Sequence, residues 1–221
     1  GSVVITTPLT FFATTQALLA AGHTPLFNDV DPHGNLPMPT PLQRAAMPAG
    51  EIQAYLPVDL YGRPVDNVGL QDVVDSAQAH GVPHRGLAAC WSFYPTKNLG
   101  AAGQAGAITT DHPDLALALR RLRTYGEGDK RFVFDGQHLT GNHRLDALQA
   151  AILRAKLPHL REWNARRRAI AAQYHRGLTG LPGLVLPEDH PQHFYHAYVV
   201  QHARRDDLRK WLQQQEIETQ V

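Results

Sequence analysis

Short apolar runs, each too brief for a helix, recur through the first half of this chain, separated by turns or by segments of helical periodicity. Val3-Val4-Ile5-Thr6-Thr7 is a β-branched run closed by Pro8, which reads as a strand. Residues 10–21 place Phe12, Gln16, Leu19 and several alanines at helical spacing, with Thr10 the expected N-cap and Gly22 the expected stop. Residues 24–30 read as a second strand ending in the turn Asp31-Pro32-His33-Gly34, residues 52–60 as a third and 71–75 as a fourth. A further strand is expected over Ile108-Thr109-Thr110, followed by a helix over 111–125 with Leu115, Leu119 and Leu122 on one face. Such alternation restricts the chain to an α/β architecture with a mostly parallel central sheet flanked by helices.

The second half is more helical. An amphipathic helix is predicted over 146–178, with Leu148, Ile152, Leu160 and Trp163 near one face and a kink at Pro158. The polar, irregular segment 126–144 is long for a plain connection and reads as a functional or interface loop. After Gly180-Leu181-Pro182-Gly183 a small α+β unit is expected, with a strand over 196–201 and a helix over 205–214. The boundary is placed near Pro158, giving a large domain over 1–158 and a small C-terminal one over 159–221.

Charge and cysteine content narrow the function classes. The 221 residues carry a formal net charge of +1, so no broad footprint for nucleic acid or membrane is expected. The basic run Arg166-Arg167-Arg168 reads as the solvated face of a helix. Cys90 is the sole cysteine, which suits a reducing compartment and leaves no thiolate cluster for zinc. His190, His193 and His196 lie three apart without a supporting carboxylate pattern, and His80 and His84 are separated by Gly81-Val82-Pro83, so no metal is expected. No run approaches the ~20 apolar residues of a membrane span, and a cytoplasmic location is expected.

Two residues carry candidate chemistry. Asp75 follows Val73-Val74 at the C-terminal end of a predicted parallel strand, where open α/β sheets place ligand groups. It reads as the partner of a cationic heterocycle, a base or a metal ligand, but taken alone the cap of a following helix is the favoured reading. Lys97 lies between the aromatic run Trp91-Ser92-Phe93-Tyr94 and the small-residue stretch 100–107. Most lysines are solvated surface charges, but an apolar, Gly-rich setting is what lowers a lysine pKa and leaves a nucleophilic amine.

The combination Asp75-Ser76-Ala77-Gln78-Ala79-His80 with Ser92-Phe93-Tyr94-Pro95-Thr96-Lys97-Asn98-Leu99-Gly100 resembles the paired signature of the DegT/DnrJ/EryC1/StrS group of pyridoxal-phosphate-dependent sugar aminotransferases. Thr10-Phe11-Phe12-Ala13-Thr14, Asp29-Val30-Asp31, Asp59-Leu60-Tyr61-Gly62 and 142–151 match in the same order, so the resemblance runs over nearly the whole chain. It implies the type I fold of the pyridoxal-phosphate transferases. It also implies that Lys97 forms the Schiff base with pyridoxal 5'-phosphate and moves the proton, while Asp75 pairs with the pyridine nitrogen. Gln78 then sits near the phenolic oxygen, Ser92 donates to the phosphate and Phe11 stacks on the ring. Asn142 would reach the phosphate of the partner subunit's cofactor, which implies a homodimer with shared sites.

The implied reaction is transfer of an amino group, with glutamate the expected donor, to a keto group of a nucleotide-linked sugar. Relatives that dehydrate sugars replace the lysine by histidine, and lysine stands here. The alternative is a non-catalytic pyridoxal-phosphate-binding or regulatory relative. Phe11 also reads as ordinary core, and Asn142 and Arg144 as shapers of a loop. The sequence departs from the family pattern in three places: it starts after the Gly-Ser/Thr phosphate turn, stops at Thr219-Gln220-Val221, and is short over 66–75 and 80–91. A crossover between parallel strands needs about ten or more residues, so the short interior is expected to complete one with difficulty.

Overall fold

A computed structural model of the chain describes residues 2–40, 54–128, 131–132 and 141–221. Strand β1 (Val3–Thr6) is central to the first sheet, where its β-branched side chains suit a strand covered on both faces. It pairs parallel with β2 (Thr24–Phe27), Val3 opposite Thr24, and parallel with β3 (Ala54–Tyr55), Val4 opposite Ala54. Ile5 joins Leu36 and Tyr55 in a buried cluster, with Met38 packed against it. Helix α1 (Ala13–Ala20) connects β1 to β2 and ends before Gly22, whose φ of +78° suits a residue without Cβ. Residues 52 and 53 of the third expected strand lie outside the described residues.

A second sheet of three strands continues from the first. β4 (Val73–Asp75) pairs parallel with β5 (Ala88–Ser92), Asp75 opposite Cys90, and β5 pairs antiparallel with β6 (Gly106–Thr109). The join is a parallel bridge between Val58 and Asp75. Asp59 N–H donates to the Asp75 carbonyl at 2.9 Å, and Asp75 N–H donates to the Pro57 carbonyl at 2.9 Å. The architecture is therefore α/β with a mostly parallel sheet, as the alternating pattern predicts. Contrary to expectation, the short interior completes its crossover: residues 76–87 carry the chain from β4 to β5 through turns, without a helix.

Helix α2 (Pro113–Leu122) half-buries Leu115, Leu119 and Leu122, the face read from its periodicity. Between 126 and 144, β7 (Glu127–Gly128) and β8 (Arg131–Phe132) form a short antiparallel pair, and 129–130 and 133–140 lie outside the described residues. The predicted long helix is split at Pro158, whose missing N–H and ring interrupt the ladder. The result is α3 (Ala147–Lys156), a 3₁₀ turn (Leu157–His159) and α4 (Leu160–Leu178). Asp146 caps α3 by accepting from Leu148 N–H at 2.8 Å and Gln149 N–H at 3.2 Å. Leu153 packs into a second core cluster with Leu99 and Ala101, so α3 backs the segment that carries Lys97. Leu148, expected on the buried face, is 73% exposed.

Beyond α4, β9 (Leu184–Val185) pairs antiparallel with β10 (Gln201–His202), followed by α5 (Arg205–Gln214). The strand expected over 196–201 shrinks to β10, because the backbone of 193–196 bonds elsewhere. Phe194 N–H donates to the Gly62 carbonyl at 3.0 Å and His196 N–H to the Tyr61 carbonyl at 2.8 Å. The arginine run is also not simply a solvated face. Arg167 donates to the Tyr195 carbonyl at 3.0 Å, and Arg168 to the His190 carbonyl at 2.7 Å and the His193 carbonyl at 3.2 Å. These guanidiniums clamp 190–195 onto α4. No described helix is long and apolar enough to cross a membrane.

Candidate active site

The ends of β4 and β5 bring Asp75 and Ser92 to one edge of the second sheet, with the Lys97 loop following Ser92 directly. Asp75 is fixed through both carboxylate oxygens. Oδ1 accepts from Ala77 N–H at 3.0 Å, and Oδ2 accepts from the Thr14 hydroxyl at 2.7 Å, a length typical of a charge-assisted bond. No helix follows Asp75, so the capping reading of that residue does not hold. Beneath it, Asp59 is fully buried and holds Arg85 through both oxygens at 2.6 and 2.7 Å. Asp59 also accepts from the Ser76 hydroxyl at 2.7 Å and from Val65 N–H at 2.9 Å. This buried ion pair ties the turn after β4 to the loop 59–65.

That loop reaches Gln78 as well. Tyr61 N–H donates to Gln78 Oε1 at 2.6 Å, which leaves the amide NH2 as the free, donating end of Gln78. Tyr61 itself sits at φ +57°, a left-handed conformation that costs a side-chain-bearing residue about 1 kcal/mol. Strain of this kind collects at functional sites because the surrounding contacts hold it in place.

The Lys97 loop is pinned from three sides. Lys97 N–H donates to the Tyr94 carbonyl at 2.9 Å, and Ala101 N–H to the Phe93 carbonyl at 2.8 Å. A Cβ at Gly100 would stand 2.3 Å from the Pro95 carbonyl oxygen, so only glycine closes this turn. Lys156 Nζ donates to the Gly100 carbonyl at 2.7 Å. Asn98, buried, donates to Asn164 Oδ1 at 3.2 Å and to the Phe194 carbonyl at 3.1 Å, while Asn164 donates to the His80 carbonyl at 2.6 Å. One amide chain thus links the Lys97 loop, helix α4 and the end of the Asp75–His80 turn.

The electrostatics follow from this packing. Burial lowers the Lys97 pKa, and the nearby Asp75 carboxylate opposes the shift. His80 meets no hydrogen-bond partner of good geometry at either ring nitrogen and lies between the Trp91 and Phe93 rings. Burial pulls it down to about 4 against the Ser92 backbone that favours its proton, and the Lys97 charge adds to the fall. His196 is likewise lowered to about 4, by burial first and then by Lys97. Burial and the Asp75 charge push the Cys90 thiol up to about 11, so it is inert as a nucleophile. The half-buried amine therefore feels the charge of the Asp75 carboxylate, and burial holds the nearby His80 and His196 rings uncharged. Among the described residues no group of three or more His, Cys, Asp or Glu is placed to hold a metal ion.

The arrangement matches one family in its residues and order, and a family model for these proteins covers residues 1–221. The chain belongs to the DegT/DnrJ/EryC1/StrS aminotransferase family. It is 42% identical to dTDP-3-amino-3,4,6-trideoxy-alpha-D-glucose transaminase of Streptomyces venezuelae over 239 residues, covering 99% of this chain and 61% of that one. Among solved structures it resembles S. venezuelae DesV in complex with a ketimine intermediate, with a TM-score of 0.85 and 39% identity over 98% of this chain and 62% of that one. It also resembles ntda from Bacillus subtilis with bound cofactor PMP, at a TM-score of 0.83 and 27% identity, covering 97% and 53% of the two chains. The chain spans about three-fifths of the length of the curated relative and of DesV.

Of the residues that the DegT/DnrJ/EryC1/StrS resemblance singles out, Asp75 and Ser92 end β4 and β5, and Gln78 and Lys97 lie in the segments that follow them. Ser92 Oγ accepts from Tyr94 N–H at 3.3 Å. Phe11 is 68% exposed with its ring 4.6 Å from Phe12, so it is not core; its carbonyl accepts from Thr14 N–H at 3.1 Å, one turn from Asp75's partner. Asn142 lies on a separate, exposed segment, bridged to Thr124 and accepting from Arg144 Nε at 2.9 Å. Thr14, Tyr61, Asn98 and Asn164 escape the sequence reading as site residues. Thr14, Tyr61 and Asn98 stand inside quoted motifs, but their roles depend on backbone and long-range contacts that spacing does not encode.

Proposed function

We propose that the full-length protein is a pyridoxal-5'-phosphate-dependent aminotransferase that moves an amino group from an amino acid, with glutamate as donor, to a keto group of a nucleotide-linked sugar. The observation that carries this reading is Asp75 at the end of β4, its carboxylate held through both oxygens, with the adjoining strand β5 leading into the turn that bears Lys97. The pair fits the cofactor's chemistry: an amine of lowered basicity for its aldehyde carbon, and an anion for its ring nitrogen. Ser92 offers a hydroxyl for the phosphate, Gln78 an amide donor for the phenolic oxygen, and Phe11 an exposed aromatic face for the ring. Asn142, exposed, is assigned to the cofactor phosphate of a partner subunit, so the working unit is read as a homodimer. The printed activity of the Streptomyces venezuelae relative supports the substrate class.

When bound, the cofactor supplies an electron-withdrawing ring that acidifies the donor's Cα–H and stores the amino group between two half-reactions. The chain's own groups do the rest. Lys97 Nζ would take the proton from the donor's Cα and hold it for return. Burial raises the share of neutral amine available for this. Asp75 holds the ring nitrogen's proton in place by its negative charge. The alternative of a protein that binds the cofactor without turnover makes a different prediction in one experiment. Full-length protein with pyridoxal 5'-phosphate should show a visible band that glutamate bleaches and Lys97→Ala lacks. A band that glutamate leaves unchanged favours the non-catalytic reading; no band in the parent removes the cofactor reading altogether.

A further inference from the structure

We propose that Thr14, supplied by Thr10, is a positioning residue that sets the plane of the Asp75 carboxylate for the cofactor's ring nitrogen. This rests on the pyridoxal-phosphate reading and deepens it. The direction of the hydrogen bonds follows from the donor inventory. An ionised carboxylate only accepts, so the 2.7 Å contact between Thr14 Oγ1 and Asp75 Oδ2 uses the single Thr14 hydroxyl proton. Thr14 is then left as acceptor in its 2.8 Å contact with Thr10 Oγ1, and Thr10 donates. The relay runs Thr10 to Thr14 to Asp75. Thr14 is 4% exposed, so water competes little for this bond, and successive hydroxyls polarise one another.

A second observation shows where the Thr10 hydroxyl is directed. Thr10 is the residue the sequence offers as N-cap of α1, yet the helix starts at Ala13, with Phe12 in the cap position and no side-chain cap. A missing cap costs a helix about 1 kcal/mol. The Thr10 hydroxyl is committed to Thr14 instead, and Thr14 sits in the first turn of α1 with its own hydroxyl turned to the sheet edge. With Ala77 N–H on Oδ1 and Thr14 on Oδ2, the carboxylate is held through both oxygens. The remaining lone pairs keep one orientation, which is what a hydrogen bond to a flat heterocycle needs. Since Thr14 N–H also donates to the Phe11 carbonyl, one residue ties the ring-facing aromatic to the ring-facing carboxylate.

The test uses full-length protein with two probes, pyridoxal 5'-phosphate and its 1-deaza analogue, in which the ring nitrogen is replaced by CH. Equilibrium dissociation constants are read from the bound probes' absorbance for the parent, Thr14→Val and Thr14→Ser. The relay predicts that Thr14→Val weakens pyridoxal 5'-phosphate by ~10-fold and leaves the 1-deaza analogue near its parent value, collapsing the parent's preference. Thr14→Ser, which keeps the hydroxyl, restores the preference. Equal weakening of both probes means Thr14 only supports the fold and overturns the proposal, as does unchanged binding of both. Melting of each cofactor-free variant within a few degrees of the parent confirms that folded proteins are compared. A parent that binds neither probe sinks the cofactor reading itself and the relay with it, a result distinct from the other two.

Discussion

Replacing Asn164 by Ala should loosen the Lys97 loop by removing the middle of the buried amide chain. Asn164 is 3% exposed; it accepts from Asn98 Nδ2 at 3.2 Å and donates to the His80 carbonyl at 2.6 Å. After truncation, Asn98 Nδ2 keeps its bond to the Phe194 carbonyl but its other N–H loses its acceptor. The His80 carbonyl loses its Asn164 donor in a residue that is 2% exposed. An orphaned buried acceptor costs about 1–3 kcal/mol and an ordinary lost bond about 1 kcal/mol, so the expected destabilisation is about 2–4 kcal/mol. Urea unfolding of the full-length protein measures it, with the slope compared to detect a changed denatured state. Asn164→Asp keeps the acceptor for Asn98 but sets a buried carboxylate oxygen against the His80 carbonyl, so it should not recover the loss. The loop should also bind pyridoxal 5'-phosphate more weakly in Asn164→Ala. A destabilisation under about 0.5 kcal/mol would refute the claim that this chain holds the loop.

Three further outcomes follow from the same geometry. Gly100→Ala places a methyl 2.3 Å from the Pro95 carbonyl oxygen, so the Lys97 turn must open and cofactor affinity should fall by ~10-fold or more, measured by absorbance titration. Gln78→Glu keeps the acceptor for Tyr61 N–H but removes the amide donor; its melting temperature should hold while pyridoxal 5'-phosphate binding drops by ~10-fold, and unchanged binding would exclude Gln78 from the cofactor. His80 and His193 are buried and lowered from 6.5 to about 4, so the unfolded chain binds protons that the native one refuses. Their contribution is full above pH 6.5 and is lost as pH falls from 6.5 towards 4, by about 3 kcal/mol per histidine. Denaturation curves at pH 7, 6 and 5 should show the loss, and a flat profile would contradict their burial.

Much of the site is legible because it is local. Asp75 and Gln78 follow a strand read from the sequence, whereas Ser92 and Lys97 are singled out by their motif alone, since the strand β5 that carries Ser92 is not among the expected ones. The strands, the Pro158 break and the Gly22 stop follow equally from local chemistry. What escapes the sequence is set by competition between partners. Thr10 has the right type for a cap, but the helix begins only at Ala13, with Phe12 in the cap position, and the Thr10 hydroxyl meets Thr14 instead. Arg167 and Arg168 look solvated until the carbonyls of 190–196 come to lie against α4. The strand expected over 196–201 does not start at His196, because His196 N–H, like Phe194 N–H, is spent on the Tyr61–Gly62 turn. The crossover over 76–87 looks too short because a helix is assumed in it, and turns need fewer residues.

The most direct test of the account asks where the cofactor attaches. Full-length protein loaded with pyridoxal 5'-phosphate is reduced with borohydride, digested and mapped by mass spectrometry. The account predicts a phosphopyridoxyl group on the Nζ of Lys97 and none in Lys97→Ala. An adduct on Lys130, Lys156 or Lys210 instead, or no adduct on a folded protein, would contradict it.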